Sequence, residues 1–433
     1  MYLLMPVLFL LGYLLIALEH PIKIDKSASA ILTGVVCWTA LVIGMGYGME
    51  IPGYSPGTEH FAEHALLEHL SDIASILFFL MGAMTIVELI DAHEGFATIT
   101  EKVHSTHKVK LLWGLSFLTF FLSAALDNLT TSIVMAALLR KLIKDREDLW
   151  FFAGMVVIAA NAGGAWSPIG DVTTIMLWIG GQVTALNIVK EVFLPSIVCL
   201  LIPLAASSFM LKGHLERPAV TGAPDDEDLV SPFEQNLILV LGIGSLLFVP
   251  VFKSITHLPP FMGILLGLGV LWVVTELLNT NRMHHSNRTV VAVLRRIDVP
   301  SVLFFLGILL AVAALETAGY LEELATVLDN VFGNLYIVNI LIGLLSSVVD
   351  NVPLVAGAMG MYPLSVYPQD SDFWELLAYC AGTGGSVLII GSAAGVAIMG
   401  ILKIDFIWYL KRISWLALLG YFGGVATYYL ING

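Results

Sequence analysis

Apolar runs of about 17–25 residues follow one another along the chain, separated by short polar stretches. That is the length a helix needs to cross the hydrocarbon core of a bilayer. The pattern predicts ten spans, at about 2–18, 29–49, 72–92, 150–180, 191–211, 235–252, 260–279, 299–317, 374–402 and 406–430. The fourth and ninth carry glycine clusters and read as broken helices. Two further apolar stretches, about 111–142 and 334–362, are too long for one helix and are interrupted by polar residues. Each predicts a helix–loop–helix hairpin that enters the membrane and returns.

Basic residues test the assignment, because cytoplasmic loops collect Lys and Arg. With the N-terminus outside, only Lys190 and Lys253 of the 20 basic residues fall on the outer side. Counting either hairpin as a single span destroys that asymmetry. Both termini are then expected outside. The stretch 212–234 holds Pro218, Gly222, Pro224 and the acidic run Asp225 to Asp228, and reads as a cytoplasmic linker. The boundaries are a first repeat 1–213, a linker 214–234 and a second repeat 235–433.

Composition narrows the class further. The chain is 58% hydrophobic and only 12% charged, half the charge that covers a soluble domain. A soluble protein is excluded, and a net charge of −14 repels nucleic-acid phosphate. Continuous apolar runs exclude an outer-membrane barrel, whose strands alternate. Cys37, Cys199 and Cys380 sit singly in apolar runs, which is neither a disulfide framework nor a metal site. The first run lacks a basic leader, although Ser27-Ala28-Ser29-Ala30 leaves a signal-peptide cleavage reading open.

The two halves resemble each other. Asp72 to Leu80 matches Asp298 to Leu306, Ser123 to Asn128 matches Ser346 to Asn351, and Ala162-Gly163-Gly164 with Gly170 matches Thr383-Gly384-Gly385 with Gly391. The order is the same and the offsets drift slowly, which predicts a duplication. An odd number of spans separates the copies, so the second is inverted. Inverted repeats with broken helices mark secondary transporters, whose site lies at the repeat interface near the midplane. The fold class expected is therefore an all-α polytopic membrane protein. It has two inverted repeats, each with five spans, one of them broken, and one re-entrant hairpin.

Both hairpin tips read Asp-Asn: Asp127-Asn128 and Asp350-Asn351. A helix cap is worth about 0.5–2 kcal/mol, and a carboxylate at membrane depth costs about 2.5–3.5 kcal/mol. Asn or Ser would cap without that cost, so the aspartates are expected to be functional. In the fourth span, Asn161 to Asp171 packs three glycines and Pro168 into a stretch that no regular helix tolerates. Its freed carbonyls, with Asn161 and Ser167, are hard oxygen donors suited to a small cation. Asp171 caps the following half-helix and is also a titratable candidate. The counterpart, Gly382 to Ser392, brings Thr383, Ser386 and Ser392. Three carboxylates facing no buried Lys or Arg suit Na⁺, Li⁺ or H⁺ rather than an anion. A carboxylate that takes either a proton or a metal ion is the minimum machinery for exchange, with coupled titrations.

Fainter signals accompany these. His60 and His64 share a helical face in the outer loop 50–71, beside Glu50, Glu59, Glu63 and Glu68, and read as a solvated segment before a metal site. His93, at the inner end of the third span, is a candidate pH sensor. Glu88 and Glu316 read as snorkelling residues near span ends.

The Asp-Asn hairpins, the Asn161-to-Asp171 break and the Gly-Thr-Gly-Gly-Ser break together resemble the ion transporter superfamily, most closely its NhaD-type sodium/proton antiporters. The resemblance covers nearly the whole chain. It implies a homodimer in the bacterial inner membrane that exports Na⁺ or Li⁺ in exchange for protons, with no cofactor and no enzymatic activity. It also implies an elevator, with scaffolds at 1–110 and 235–333 and transport units at 111–213 and 334–433. Amphipathic arms near 94–108 and 318–332 would join them. Carried onto this sequence, it puts ion and proton binding on Asp127, Asn128, Asn161, Asp171, Asp350, Asn351 and Thr383, with Na⁺ at Asp127, Asn128, Asp350 and Asn351. Thr130, Ser167, Ser386 and Ser392 would support them. The superfamily's dicarboxylate branch carries Ser-Asn-Thr at its tips, and this chain has Asp-Asn-Leu and Asp-Asn-Val. The rival readings are an oxyanion exporter of the arsenite type, an intramembrane aspartyl protease and a channel. The protease motif Gly-x-Gly-Asp would require glycine where Pro168 stands.

Overall fold

A computed structural model of the chain describes residues 4–17, 19–49, 51–52, 54, 60–96, 105–216, 230–279, 288–348 and 350–432. These are helical apart from turns, one isolated bridge between His107 and His214, and short connections. Two helices are single turns, Glu19–Ile22 and Val290–Val293. The others are, in chain order, α1 Leu4–Ala17, α2 Lys26–Gly46, α3 Phe61–Ala92, α4 Lys108–Leu126, α5 Asn128–Leu142, α6 Arg146–Ala165, α7 Val172–Ile179, α8 Ala185–Met210 and α9 Pro232–Thr256. They continue with α10 Pro260–Asn279, α11 Val299–Thr317, α12 Tyr320–Phe332, α13 Leu335–Leu345, α14 Asn351–Met361, α15 Asp372–Gly384, α16 Ala393–Leu402, α17 Phe406–Arg412 and α18 Ser414–Asn432.

Among the described residues nine helices are long and apolar enough to cross a membrane, or up to eleven counting two bent pairs. The chain is a polytopic all-α membrane protein. Local chemistry sets where the helices begin. Asp25, Asp145, Thr184, Ser231, Asp298 and Asp405 each cap a helix, their side chains accepting a backbone N–H of its first turn.

Several span boundaries differ from those the hydropathy gives, three of them with a local cause. The third helix begins at Phe61, eleven residues before 72, because the helix continues outward through the mixed stretch 61–71, which carries Glu63, His64, Glu68 and His69 among apolar residues. The last span begins at Ser414, and Phe406–Arg412 is a separate helix bent by 118° from α16. The second begins at Lys26, fixed by the Asp25 cap. The small-residue stretch Ser27 to Ala30 thus lies inside α2, where Ser27, Ser29 and Ala30 are buried. Most of the first arm, residues 97–104, and most of the linker, residues 217–229, lie outside the described residues, as do Glu50 and Glu59.

The helices pack in two groups. In one, α2 lies against α1 and α11, and α3 against α9, α10 and α11. In the other, α6 packs on α4, α5 and α15, α13 on α15, and α8 on α18. The main contacts between the groups are α11 with α14, α12 with α14, α3 with α7, and α9 with α4.

Close crossings of this kind need small residues, since helices in lipid associate by packing. A Cβ on Gly163 would lie 2.2 Å from the Phe120 carbonyl oxygen, and one on Gly384 would lie 1.9 Å from that of Gly343. Each broken helix is thereby pressed against the helix that leads to a hairpin tip. Amphipathic α12 buries Leu321 and Ala325 and exposes Glu322 and Glu323.

Candidate functional site

The first helix break and both Asp-Asn tips converge on one small cavity. Asp127, Asn128, Asp171, Asp350 and Asn351 all line it, with Phe79, Phe305 and Lys26 among the remaining walls. Its volume is about 40 Å³, space for about three waters on the same measure.

Each tip aspartate caps the half-helix that follows it. Asp127 accepts from the Thr130 amide at 2.7 Å and from the Thr130 hydroxyl at 2.9 Å. Its backbone is unusual, at φ 86° and ψ 159°, a region that is essentially glycine's own. Asp350 has ordinary dihedrals and accepts from the Val352 amide at 3.2 Å.

The asparagines behind them tie the breaks together. Asn128 Nδ2 donates to Asn161 Oδ1 at 3.1 Å. Asn161, fully buried, donates in turn to the hydroxyls of Ser386 and Ser392, both at 2.9 Å. Asn351 Nδ2 donates across the cavity to Asp171 Oδ2 at 3.3 Å. Asp171 caps α7, its Oδ1 accepting from the Thr173 amide at 3.4 Å. Two separate amide links, Asn128–Asn161–Ser386/Ser392 and Asn351–Asp171, therefore join residues from both halves of the chain.

The remaining expected residues stand further back. The Ser167 hydroxyl donates to the Ala124 carbonyl at 2.5 Å, bracing the break against α4 just before the first tip. Thr383 is buried and donates to Tyr379 in its own helix at 2.6 Å. Thr383, Ser167 and Thr130 do not line the cavity, and Ser392 lines a larger one beside it.

The sequence leads to carboxylates facing no buried Lys or Arg, and a half-buried lysine nevertheless reaches them: Lys26 Nζ lies 3.7 Å from Asp350 Oδ2 and 4.5 Å from the centre of the Phe304 ring. Hydropathy begins the second span at residue 29 and leaves Lys26 in the loop. The Asp25 cap starts the helix earlier, so the lysine stem runs along apolar wall while its ammonium reaches the polar cavity. The available signal was an Asp-Lys pair at the mouth of a small-residue stretch, which is a helix start as much as a loop.

His93 lies away from this cavity. It is buried, with Nδ1 2.8 Å from the Leu89 carbonyl and Nε2 3.8 Å from Glu234 Oε1. Glu88 pairs with Arg296 at 3.8 Å. His60 pairs with Glu63 at 2.7 Å, and among the described residues no group of three His, Cys, Asp or Glu is placed to hold a metal ion. The three cysteines are buried and unpaired.

Residues 5–382 match the citrate transporter family (CitMHS). The chain is 47% identical to Sodium/proton antiporter 1 of Arabidopsis thaliana over 99% of its own length and 72% of that protein. It is 45% identical to Sodium/proton antiporter 2 of the same plant, over 99% of both. The Na⁺/H⁺ antiporter NhaD of Vibrio cholerae is 31% identical over 98% of this chain and 91% of that one. These relatives are named as transporters, not enzymes. The chain belongs to the citrate transporter family and, within it, to the NhaD-type sodium/proton antiporters.

Proposed function

We propose that this protein exchanges Na⁺ or Li⁺ for protons at the cavity between the two hairpin tips. The observation that carries the reading is the donor set. Asp127, Asp171 and Asp350, with the carboxamides of Asn128 and Asn351, line one small cavity, against one ammonium among the described residues, that of Lys26. Hard oxygens with a net negative charge suit an alkali cation and repel a di- or tricarboxylate. A proton on any of the three carboxylates removes a ligand charge, so the two cargoes compete. The citrate named for the family would need more cationic side chains than Lys26, which is already paired with Asp350, or uncapped helix N-termini here. Both tips and the first break are capped by aspartate instead. The antiporter names of the relatives agree with this choice.

The architecture assigned to this activity is a pair of inverted repeats working as an elevator. Packing supports the repeat: α2 on α11 is mirrored by α10 on α3, and α4 on α6 by α13 on α15. The Gly163 contact with Phe120 and the Gly384 contact with Gly343 occupy matching places. The α1, α2, α3, α9, α10 and α11 group is assigned as scaffold and the other as transport unit, with α12 as an arm. A homodimer in the bacterial inner membrane, both termini outside, completes the proposal. His93, facing Glu234 at the inner end of α3, is assigned a pH-sensing role.

Everted vesicles or proteoliposomes holding a pH gradient test the exchange. Na⁺ or Li⁺ should collapse the gradient, while K⁺ and arsenite should not. Asp127→Asn, Asp171→Asn and Asp350→Asn should each abolish the response while remaining in the membrane. A wild-type chain indifferent to every alkali cation would sink the cation reading and bring the oxyanion reading forward.

A further inference from the structure

Among the described residues, Lys26 supplies the one positive charge lining the site, and sodium–proton exchange as outlined above gives it no task. Lys26 and Asp350 line both the small cavity and a larger one of about 360 Å³, which Tyr13, Glu19 and Ser392 also line. The pair therefore stands where the two spaces meet. Neither side chain is fully hidden, at 25% exposure for Lys26 and 19% for Asp350. The partners also come from different packing groups, Lys26 from the first turn of α2 and Asp350 from the cap of α14. Asp350 Oδ1 serves its own helix through the Val352 amide, which leaves Oδ2 to the ammonium.

An ammonium and Na⁺ carry the same charge and seek the same carboxylate oxygen. Held within about 4 Å of one another in a partly desolvated site they repel strongly, so one must yield. We propose that Lys26 is a tethered competitor for the transported cation, holding Asp350 in the sodium-free site and released from it when Na⁺ binds. Lys26 then sets the sodium affinity, and by reciprocity sodium loosens the tie between α2 and the second hairpin tip. The inference rests on the sodium-exchange reading.

The test uses the full chain, with Na⁺ as the probe. Thermal stabilisation by Na⁺ in detergent reports binding without turnover, and everted vesicles report the apparent KM for Na⁺. Lys26→Gln should lower the Na⁺ needed in both measurements about ten-fold, whereas Lys26→Arg should stay near wild type. Lys26→Met, which keeps an apolar stem against Phe304, carries the same expectation if glutamine fails to fold. An unchanged or raised Na⁺ requirement in the neutral variants overturns the competitor role and leaves sodium exchange standing. Failure of both neutral variants to fold also overturns it, because a pair that folding depends on is a strut and not a displaceable ion. A wild-type chain with no Na⁺ response in either measurement removes the exchange reading and the competitor together.

Discussion

Asp127 and Asp350 occupy matching places and are held in different ways. Asp127 spends its carboxylate on Thr130 and sits at φ 86°, in a region that costs a non-glycine residue of order 1–3 kcal/mol. Asp350 carries no such strain and shares its carboxylate with Lys26. A glycine at 127 would relieve the backbone, so an aspartate persists there for its carboxylate and against local stability. Asp127→Gly is therefore expected to be more stable than Asp127→Ala by about 1 kcal/mol or more, since alanine keeps the strain and also caps poorly. Both should lack exchange. Denaturation midpoints of the two variants in detergent decide it, and an alanine variant equal to or above the glycine variant would show that no strain is stored.

At this scale much of the candidate site was legible. Asp-Asn inside an apolar run is costly enough to advertise itself, and the glycine-rich breaks could not be regular helix. Lys26 escaped because hydropathy cannot distinguish a lysine in a loop from one in a helix's first turn. The asparagine network escaped for another reason. That Asn161 from the first half meets Ser386 and Ser392 from the second is a fact of tertiary packing, with no local signature.

Elements carry the site by close approach. α6 and α15 each bring a glycine onto the helix that leads to a tip, and those crossings fix where the tips meet. Gly384 is the tighter of the two, with its absent Cβ 1.9 Å from a backbone oxygen that cannot rotate away. Gly384→Ala must part α13 from α15, and overpacking of this kind typically costs about 1–3 kcal/mol. The expected result is a lowered Tm and weaker exchange. Gly114→Ala, where a Cβ meets nothing within 4 Å, should leave both unchanged or slightly improve stability. Equal behaviour of the two variants would show that α13 and α15 can separate without cost. The glycines were visible in the sequence as helix breakers, but their second role, as the contact face of a crossing, required the partner helix. Span edges show the converse limit. The mixed stretch 61–71, with Glu63, His64, Glu68 and His69, extends α3 outward, because outside the apolar core a helix can continue on partly polar sequence.

At the scale of the whole molecule, charge decides how exchange responds to voltage. Among the described residues three carboxylates and one ammonium line the cavity, so the unloaded site carries a formal charge near −2 with all four ionised. One Na⁺ raises it by one unit, and protons on two of the carboxylates raise it by two. On the proposed exchange, a cycle that moves two protons against one Na⁺ carries one net charge across the membrane, at about 2.3 kcal/mol per 100 mV. Such a cycle must run faster when the potential drives protons in the direction of their movement. Proteoliposomes clamped with K⁺ and valinomycin at 0 and about −100 mV would then differ several-fold in initial rate at equal pH and Na⁺ gradients. A one-for-one cycle is electroneutral and would show no difference. Lys26 sharpens the expectation, because it belongs to α2 and its group, while the three carboxylates belong to the other. If that second group moves and the first stays, the ammonium does not travel, and the charge that crosses is set by the carboxylates and their cargo alone. Lys26→Gln should therefore change the Na⁺ concentration at which exchange half-saturates and leave its voltage dependence as it is. A voltage dependence that shifts with Lys26→Gln would mean that the lysine moves with the cargo, and the division into a fixed and a moving group would have to be redrawn.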